Sequence, residues 1–464
     1  MKPSMKYLQS NSKKYLIVAS LLILSCNGPD DLDLVNIESE VITFYETESE
    51  EDTFPSIMVS TNGQEIVDEP KINADLTVVE NKNETNFKIG IEIRGSSSQM
   101  FPKKSYGFET RNADWSEDLD VSLGGFPEEE DWILYGPYSD KSLIRNKLTF
   151  DLSNSIGYKA SKVKFYNLFV NNDYKGLYVL MEKIKRDENR VNITKLEGDS
   201  VDGGYIIKID KPTGDGDSFN SDIAFMSEYT SGGIKGLNKN PTFLYEYPKN
   251  DDISDDQKEY IQNYIQGFEN ALASENFLSE EDGYRQFINI ESFIDFFLLN
   301  EISRNVDGYR ISTFMNKDKG GKINMGPIWD FNIAFGNANY CGGELTSGWA
   351  FNFNEICPQD GMHVPFWWKR LLEDPGYVLS LKERWSALRS NEFSNDFIIS
   401  AIEDLKLELE KSDASTRNFG KWLILGKYIW PNNFIGNRYS EETDYLKDWI
   451  EKRLSWMDNE INDL

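Results

Sequence analysis

Asp307 and Asp330 stand 23 residues apart in the run NVDGYRISTFMNKDKGGKINMGPIWDFNIAFGN, and Asp330 is set among Ile328, Trp329, Phe331, Ile333 and Phe335. Burying a carboxylate among apolar side chains costs on the order of several kcal/mol unless a cation or hydrogen bonds offset it. An aspartate there either holds a divalent metal or accepts backbone N–H bonds in a tight turn. Other chemistry is scarce. The 464 residues contain one histidine, His363, in GMHVPFWW. A single imidazole builds no His-rich zinc site, and any Ser-His-Asp or Cys-His arrangement would have to run through it. The 78 acidic residues leave carboxylates and an oxygen-liganded hard cation such as Mg, Mn or Ca as the available tools.

A second constellation is IEIRGSSSQMFPKKSYGFE. A strand is expected to end at Arg94, a small-residue turn to cover Gly95, Ser96, Ser97 and Ser98, and the next strand to begin at Lys103 and Lys104. Backbone N–H groups of such a turn can cradle phosphate oxygens, with hydroxyls and a lysine completing the charge match. Glycine and serine also make ordinary hairpin turns, so the segment alone does not decide.

The elements that must position these residues divide the chain. From Phe54 to about Ile209 the patterns are strands and turns, and KFYNLFVNNDYKGLYVLMEKI reads as a hairpin centred on Asn171 to Gly176. One helix interrupts them: Ile144, Leu148, Leu152 and Ile156 recur every four residues, Ser139 or Asp140 can cap the start, and Gly157 can end it. From Asp251 onward the periodicity is helical. The fold class is therefore α+β. A β-rich lobe covers 54–211, a Gly-, Asp-, Asn- and Ser-rich loop or linker covers 212–250, and an α-rich lobe over 251–464 carries both aspartates.

Lys2, Lys6, Lys13 and Lys14 precede an apolar run, Tyr15 to Leu24, too short to span a bilayer. Ile23, Leu24, Ser25 and Cys26 resemble a bacterial lipobox, which implies a signal peptide over 1–25, a lipidated Cys26 and an acidic tether to residue 53. Acidic residues after that cysteine resemble the export signal of Bacteroidetes surface lipoproteins. The expected location is a lipid anchor on the outer membrane, facing the periplasm or the outside. An ordinary secretory peptide with a chance cysteine is the alternative.

With Cys26 so used, Cys341 and Cys357 form either a disulfide or two buried thiols. A net charge of −29 with no basic stripe argues against nucleic acid as a partner. Trp367, Trp368, Trp422 and Trp430 either fill a core or form an exposed platform for sugar rings, the mark of a surface glycan-binding lipoprotein.

Taken together, Arg94-Gly-Ser-Ser-Ser with PKKSY downstream, the Arg145-Asn146 helix, NDYKGLYVLMEKI, NVDGYR and GPIWDFNIAFGN resemble the CotH kinase family, named for spore coat protein H. The resemblance implies an atypical, bilobal protein-kinase fold. It implies ATP and a divalent metal, Mg or Mn, phosphorylating Ser or Thr of a protein presented outside the cytoplasm. By that resemblance Asp330 is a metal ligand and Asp307 the catalytic aspartate, accepting the hydroxyl proton or sharing the metal. Lys104, or Lys103 close behind it, contacts phosphate, and Arg145 orients it. Glu182 and Lys183 sit near the nucleotide. The pattern departs from ordinary kinases: G-x-G-x-x-G and H-R-D are missing, and Ser312 stands where a metal-binding Asn would, five after Asp307. Asn332 or Asn305 can substitute. A pseudokinase that keeps the fold for binding is the alternative.

Overall fold

The computed structural model describes residues 54–211 and 219–464; the leader, Cys26 and the tether lie outside them. Period-two patterning produces β1 (Ser56–Ser60), β2 (Ile72–Glu80), β3 (Asn83–Arg94), β4 (Ser105–Arg111), β5 (Asp131–Tyr135), β6 (Val163–Val170) and β7 (Asp173–Glu182). These strands close into a barrel in the order β1-β2-β3-β4-β5-β7-β6. All neighbours are antiparallel except the β1–β6 pair that seals it. Alternation sorts the faces. Tyr166, Leu168, Tyr178 and Leu180 pack inside with Leu76, Ile89 and Phe108, whereas Phe165, Val179 and Met181 join the core outside the barrel.

That outer face is covered by α1 (Arg145–Ser155), through Leu148, Phe150 and Leu152. Asp140 accepts the N–H groups of Ser142 and Arg145 at 3.1 and 2.9 Å, and Gly157 turns the chain away at φ +81°.

A second sheet has the order β12-β11-β8-β10-β9. Its strands are β8 (Tyr205–Ile209), β9 (Ala224–Met226), β10 (Thr242–Tyr247), β11 (Thr313–Lys317) and β12 (Ile323–Met325). Two expectations are corrected here. The segment 212–250, read as loop or linker, supplies β9 and β10, and the region after Asp251, read as helical, supplies β11 and β12. Each run is too short for a periodicity to declare itself, and pairing with β8 decides its conformation.

The remaining mass is helical: α2 (Asp255–Ala273), α3 (Ile290–Ser303), α4 (Phe353–Ile356), α5 (Trp367–Leu371), α6 (Pro375–Arg389), α7 (Asn395–Lys411), α8 (Ala414–Lys421) and α9 (Tyr439–Asp463). A capping box at Ser254 and Gln257 starts α2. The central helix α3 is apolar on nearly every side and buried. No helix among the described residues is long and apolar enough to cross a membrane.

Trp367 and Trp368 are 0% and 1% exposed, so they fill the core and cannot stack sugars. The indole N–H of Trp367 and the hydroxyl of Ser227 donate to the buried carboxylate of Glu269, at 3.0 and 2.8 Å. Burial pushes that carboxylate up to about 7. Its folded pKa lies above the unfolded one, so the folded state binds the extra proton. The contribution of this group is fully present below about pH 4.5 and declines as pH rises from about 4.5 to 7, a loss of roughly 3 kcal/mol by pH 8. Glu269→Gln is expected to raise the melting temperature at pH 8 and leave it nearly unchanged at pH 5. Melting curves at both values check this.

Candidate active site

A cleft of about 420 Å³ lies between the open end of the barrel, the second sheet and the loops that follow α3. From the barrel come Arg94 at the end of β3 and the turn Gly95–Ser98. Gly95 sits at φ +109°, and a Cβ there would meet the Ser98 hydroxyl at 2.1 Å, so glycine is required for the turn to fold back. Gln99 braces it by donating to the Gly95 carbonyl at 2.8 Å. From the second sheet come Lys208 and Asp210, paired at 2.5 Å, and Lys211. From the loops come Asp307, Ser312, Asp330 and Asn332. Ile133, Met181 and Leu244 add an apolar wall.

Asp330 is held in the left-handed region at φ +64°, a conformation that Asn and Asp tolerate better than most side chains. The neighbouring backbone is pinned on both sides: Phe331 N–H donates to Asn146 at 2.7 Å, and Asn305 donates to the Asp330 carbonyl at 3.4 Å. Its carboxylate, by contrast, accepts no hydrogen bond among the described residues. Burial, and then the like charges of Asp307 and Asp210, push it up to about 6 against the pull of Lys208 and Arg94. A half-buried carboxylate with acidic neighbours and no hydrogen-bond donor suits a hard cation that takes oxygen ligands.

Arg94 completes the charge pattern. Its guanidinium makes no ion pair or hydrogen bond among the described residues and lies 5.9 Å from the centroid of the Trp329 ring. Burial lowers its pKa, opposed first by Asp330.

The tightest carboxylate group among the described residues is elsewhere: Asp120, Glu129 and Glu130. Lys185 lies 2.6 Å from both glutamates and Arg190 lies 2.6 Å from Glu129, so this is an ion-pair network that already carries its cations. The cleft carboxylates are more spread out. That spacing suits an ion shared between one or two carboxylates and phosphate oxygens rather than one enclosed by protein.

The structure brings together Arg94, Gly95, Ser96, Ser97, Ser98, Asp307, Asp330 and Asn332, and it places the other expected nucleotide contacts outside the cleft. Lys103 is buried and donates to the Pro137 carbonyl and Asn418, at 3.0 and 2.8 Å. Lys104 donates to the Gln99 carbonyl, bracing the turn. Strand β4 begins at Ser105, so both lysines precede the strand that was expected to start with them.

Arg145 is buried against Asp140 at 2.6 Å and donates to the Ala334 carbonyl at 3.1 Å, so it anchors the loop after Asp330. Glu182 accepts the Lys162 N–H at 2.8 Å and Lys183 pairs with Asp131 at 3.0 Å; the residue of β7 that lines the cleft is Met181. Asn305 spends its amide on backbone groups of Asp307 and Asp330, so of these two candidates Asn332 is the one that lines the cleft. Lys208, Asp210 and Lys211 were missed. Their signal was the strand YIIKID, where Lys208 and Asp210 share one face by period two.

Cys341 and Cys357 are joined by a disulfide, with Cα atoms 5.5 Å apart. Trp430, 43% exposed, stands at the cleft wall, stacked parallel to Tyr340 at 6.0 Å.

The model of the CotH family, described as CotH kinase protein, matches residues 91–457. The chain belongs to the CotH kinase family. No curated protein matches it. The matched span takes in the serine turn, the whole second sheet and both aspartates of this CotH kinase family member, so all the charged groups of the cleft lie within it.

Proposed function

We propose that the protein is a metal-dependent kinase outside the cytoplasm, transferring the γ-phosphate of ATP to Ser or Thr hydroxyls of a protein substrate. The observation that carries this is the meeting, in one cleft, of Arg94, which has no ion pair among the described residues, and the serine turn with Asp307 and Asp330. The barrel with α1 then corresponds to the β-rich lobe of an atypical kinase fold, and the helices to the other lobe.

Asp330 and Asn332 would hold Mg or Mn, which supplies charge neutralisation for the phosphates. Arg94, the Ser96–Ser98 turn and Lys208 receive the phosphate oxygens. The apolar wall of Ile133, Met181 and Leu244 takes the base. Asp307 accepts the proton of the acceptor hydroxyl. Such a site works by positioning and charge neutralisation and needs no protein nucleophile. The leader and Cys26 support a lipid anchor on the outer membrane, with no nucleic-acid partner.

Incorporation of label from γ-labelled ATP into a generic acceptor protein, with Mg or Mn, tests this. Transfer is the expected result. Nucleotide binding without transfer would favour a pseudokinase, and stabilisation by oligosaccharide alone would favour the glycan-binding alternative. Arg94→Ala is expected to weaken nucleotide binding about tenfold, the worth of one charge-assisted contact, without lowering the melting temperature. Calorimetric titration of both proteins with Mg-ATP gives the comparison.

A further inference from the structure

Under this reading Asp307 must present a carboxylate oxygen to the acceptor hydroxyl, yet it sits on an irregular loop after α3. What fixes it is Arg310, one turn along the chain and 2% exposed. The guanidinium donates to Asp307 Oδ1 at 2.9 Å, to the Val306 carbonyl at 2.8 Å, to Asp360 Oδ1 at 3.1 Å and to the Met362 carbonyl at 3.3 Å. Its carbon lies 3.9 Å from the centroid of the Phe353 ring. The fork therefore bridges two carboxylates, one in the cleft and one on a separate segment.

That segment is tied down through the disulfide. Asp360 N–H donates to the Cys357 carbonyl at 3.1 Å, and Cys357 N–H donates to the Phe353 carbonyl at 2.7 Å. On the other side of the bridge, Tyr340, adjacent to Cys341, points its hydroxyl at the same Asp307 Oδ1 from 3.5 Å. The two side-chain contacts to Asp307 thus come from Tyr340, next to Cys341, and from Arg310, which is tied through Asp360 to the segment that follows Cys357. Oδ2 accepts no hydrogen bond among the described residues and is left for the acceptor.

We propose that Arg310 is a positioning residue for Asp307, and that the Cys341–Cys357 disulfide holds the segment from which Arg310 is positioned. The inference deepens the kinase reading and rests on it. Reduction by an external dithiol, which gives up two electrons and two protons and becomes a disulfide itself, converts the bridge into two thiols. The brace around Asp307 is then released while the Arg94 turn is untouched. A displacement on the order of 1 Å at a reacting group costs roughly a hundredfold in rate, and lysine cannot replace the planar fork.

Steady-state phosphoryl transfer and nucleotide affinity are measured for the wild type, Arg310→Lys, Asp360→Asn and the double variant Cys341→Ser/Cys357→Ser. The expected result is a fall in kcat of about 10- to 100-fold for Arg310→Lys, a smaller fall for the other two, and an ATP KM and affinity unchanged within about twofold. Folded variants with unchanged kcat, or a loss of nucleotide affinity that parallels the loss of kcat, would overturn it.

Amide hydrogen exchange of the wild type, oxidised and reduced, is the second measurement and needs no activity. Exchange across 305–312 should quicken on reduction while 94–98 stays as it was, and equal exchange at 305–312 in both states overturns the brace. A wild type without transfer would sink the kinase reading by itself, with the exchange result still deciding whether the disulfide positions Asp307.

Discussion

Asp330→Asn is expected to reduce phosphoryl transfer by at least about a thousandfold, equivalent to roughly 4 kcal/mol of transition-state stabilisation, while the protein stays folded. The substitution is the informative one because of where the residue sits. At φ +64° alanine would add backbone strain of its own, whereas asparagine accepts this conformation and keeps the shape of the side chain. The folded state loses little. Among the described residues the carboxylate accepts no hydrogen bond, and burial beside Asp307 and Asp210 already holds it up at about 6. Removing the charge therefore relieves repulsion in the free protein and removes the ligand that a cation needs. Phosphate incorporation should vanish, the melting temperature without nucleotide should hold or rise, and the added stability conferred by Mg-ATP should shrink. A variant that keeps more than a tenth of the wild-type rate would remove Asp330 from the chemistry.

Arg453→Met is expected to destabilise the protein by about 3–5 kcal/mol, through the charge it leaves behind. Arg453 of α9 and Glu301 of α3 are both fully buried and meet at 3.0 Å. Glu301 also accepts N–H bonds from Ala350 and Phe351, at 2.7 and 2.9 Å, and the Tyr309 hydroxyl at 2.9 Å. Arg453 donates to the carbonyls of Glu301 and Gly348, each at 2.7 Å. Burial pulls Arg453 down to about 9 and pushes Glu301 up, so each ion depends on the other. With methionine in place, Glu301 must take up a proton or unfold its surroundings. Chemical denaturation at pH 7 should show the loss, and Glu301→Leu added to Arg453→Met should recover part of it. Equal stability of the single variant and the wild type would refute the argument.

The parts of the site that lie within one short run were readable from residue types. Arg94 with the serine turn and the Asp330 run combine unusual residues in unusual company, and local turn chemistry largely dictates their shape. Helix α1 and the β6–β7 hairpin were readable for the same reason: periodicity and the Asn171–Asn172 turn, both residues at positive φ, specify them locally.

What could not be read depended on contacts distant in sequence. Lys208 looks like any strand lysine until the fold sets it in one cleft with Asp330. Lys103 looks exposed until Asn418 of α8, more than 300 residues on, receives its ammonium group. Strands β11 and β12 carry no convincing period of their own, and the parallel β1–β6 closure leaves no trace in local pattern.

The second sheet also sets a timetable for synthesis. Its middle strand β8 ends at Ile209 and its partner β11 starts at Thr313, so about 100 residues separate them. At roughly 5–20 residues per second, β8 leaves the ribosome about 5–20 seconds before that neighbour exists. During the wait β10 can occupy one flank of β8, but the flank that will meet β11 stays bare, an adhesive edge of the kind that recruits foreign strands. The barrel can therefore be complete on a nascent chain while the wall carrying Asp307 has yet to arrive. Slow elongation or premature termination inside that interval would yield a well-formed barrel fused to a sticky, catalytically empty half-sheet.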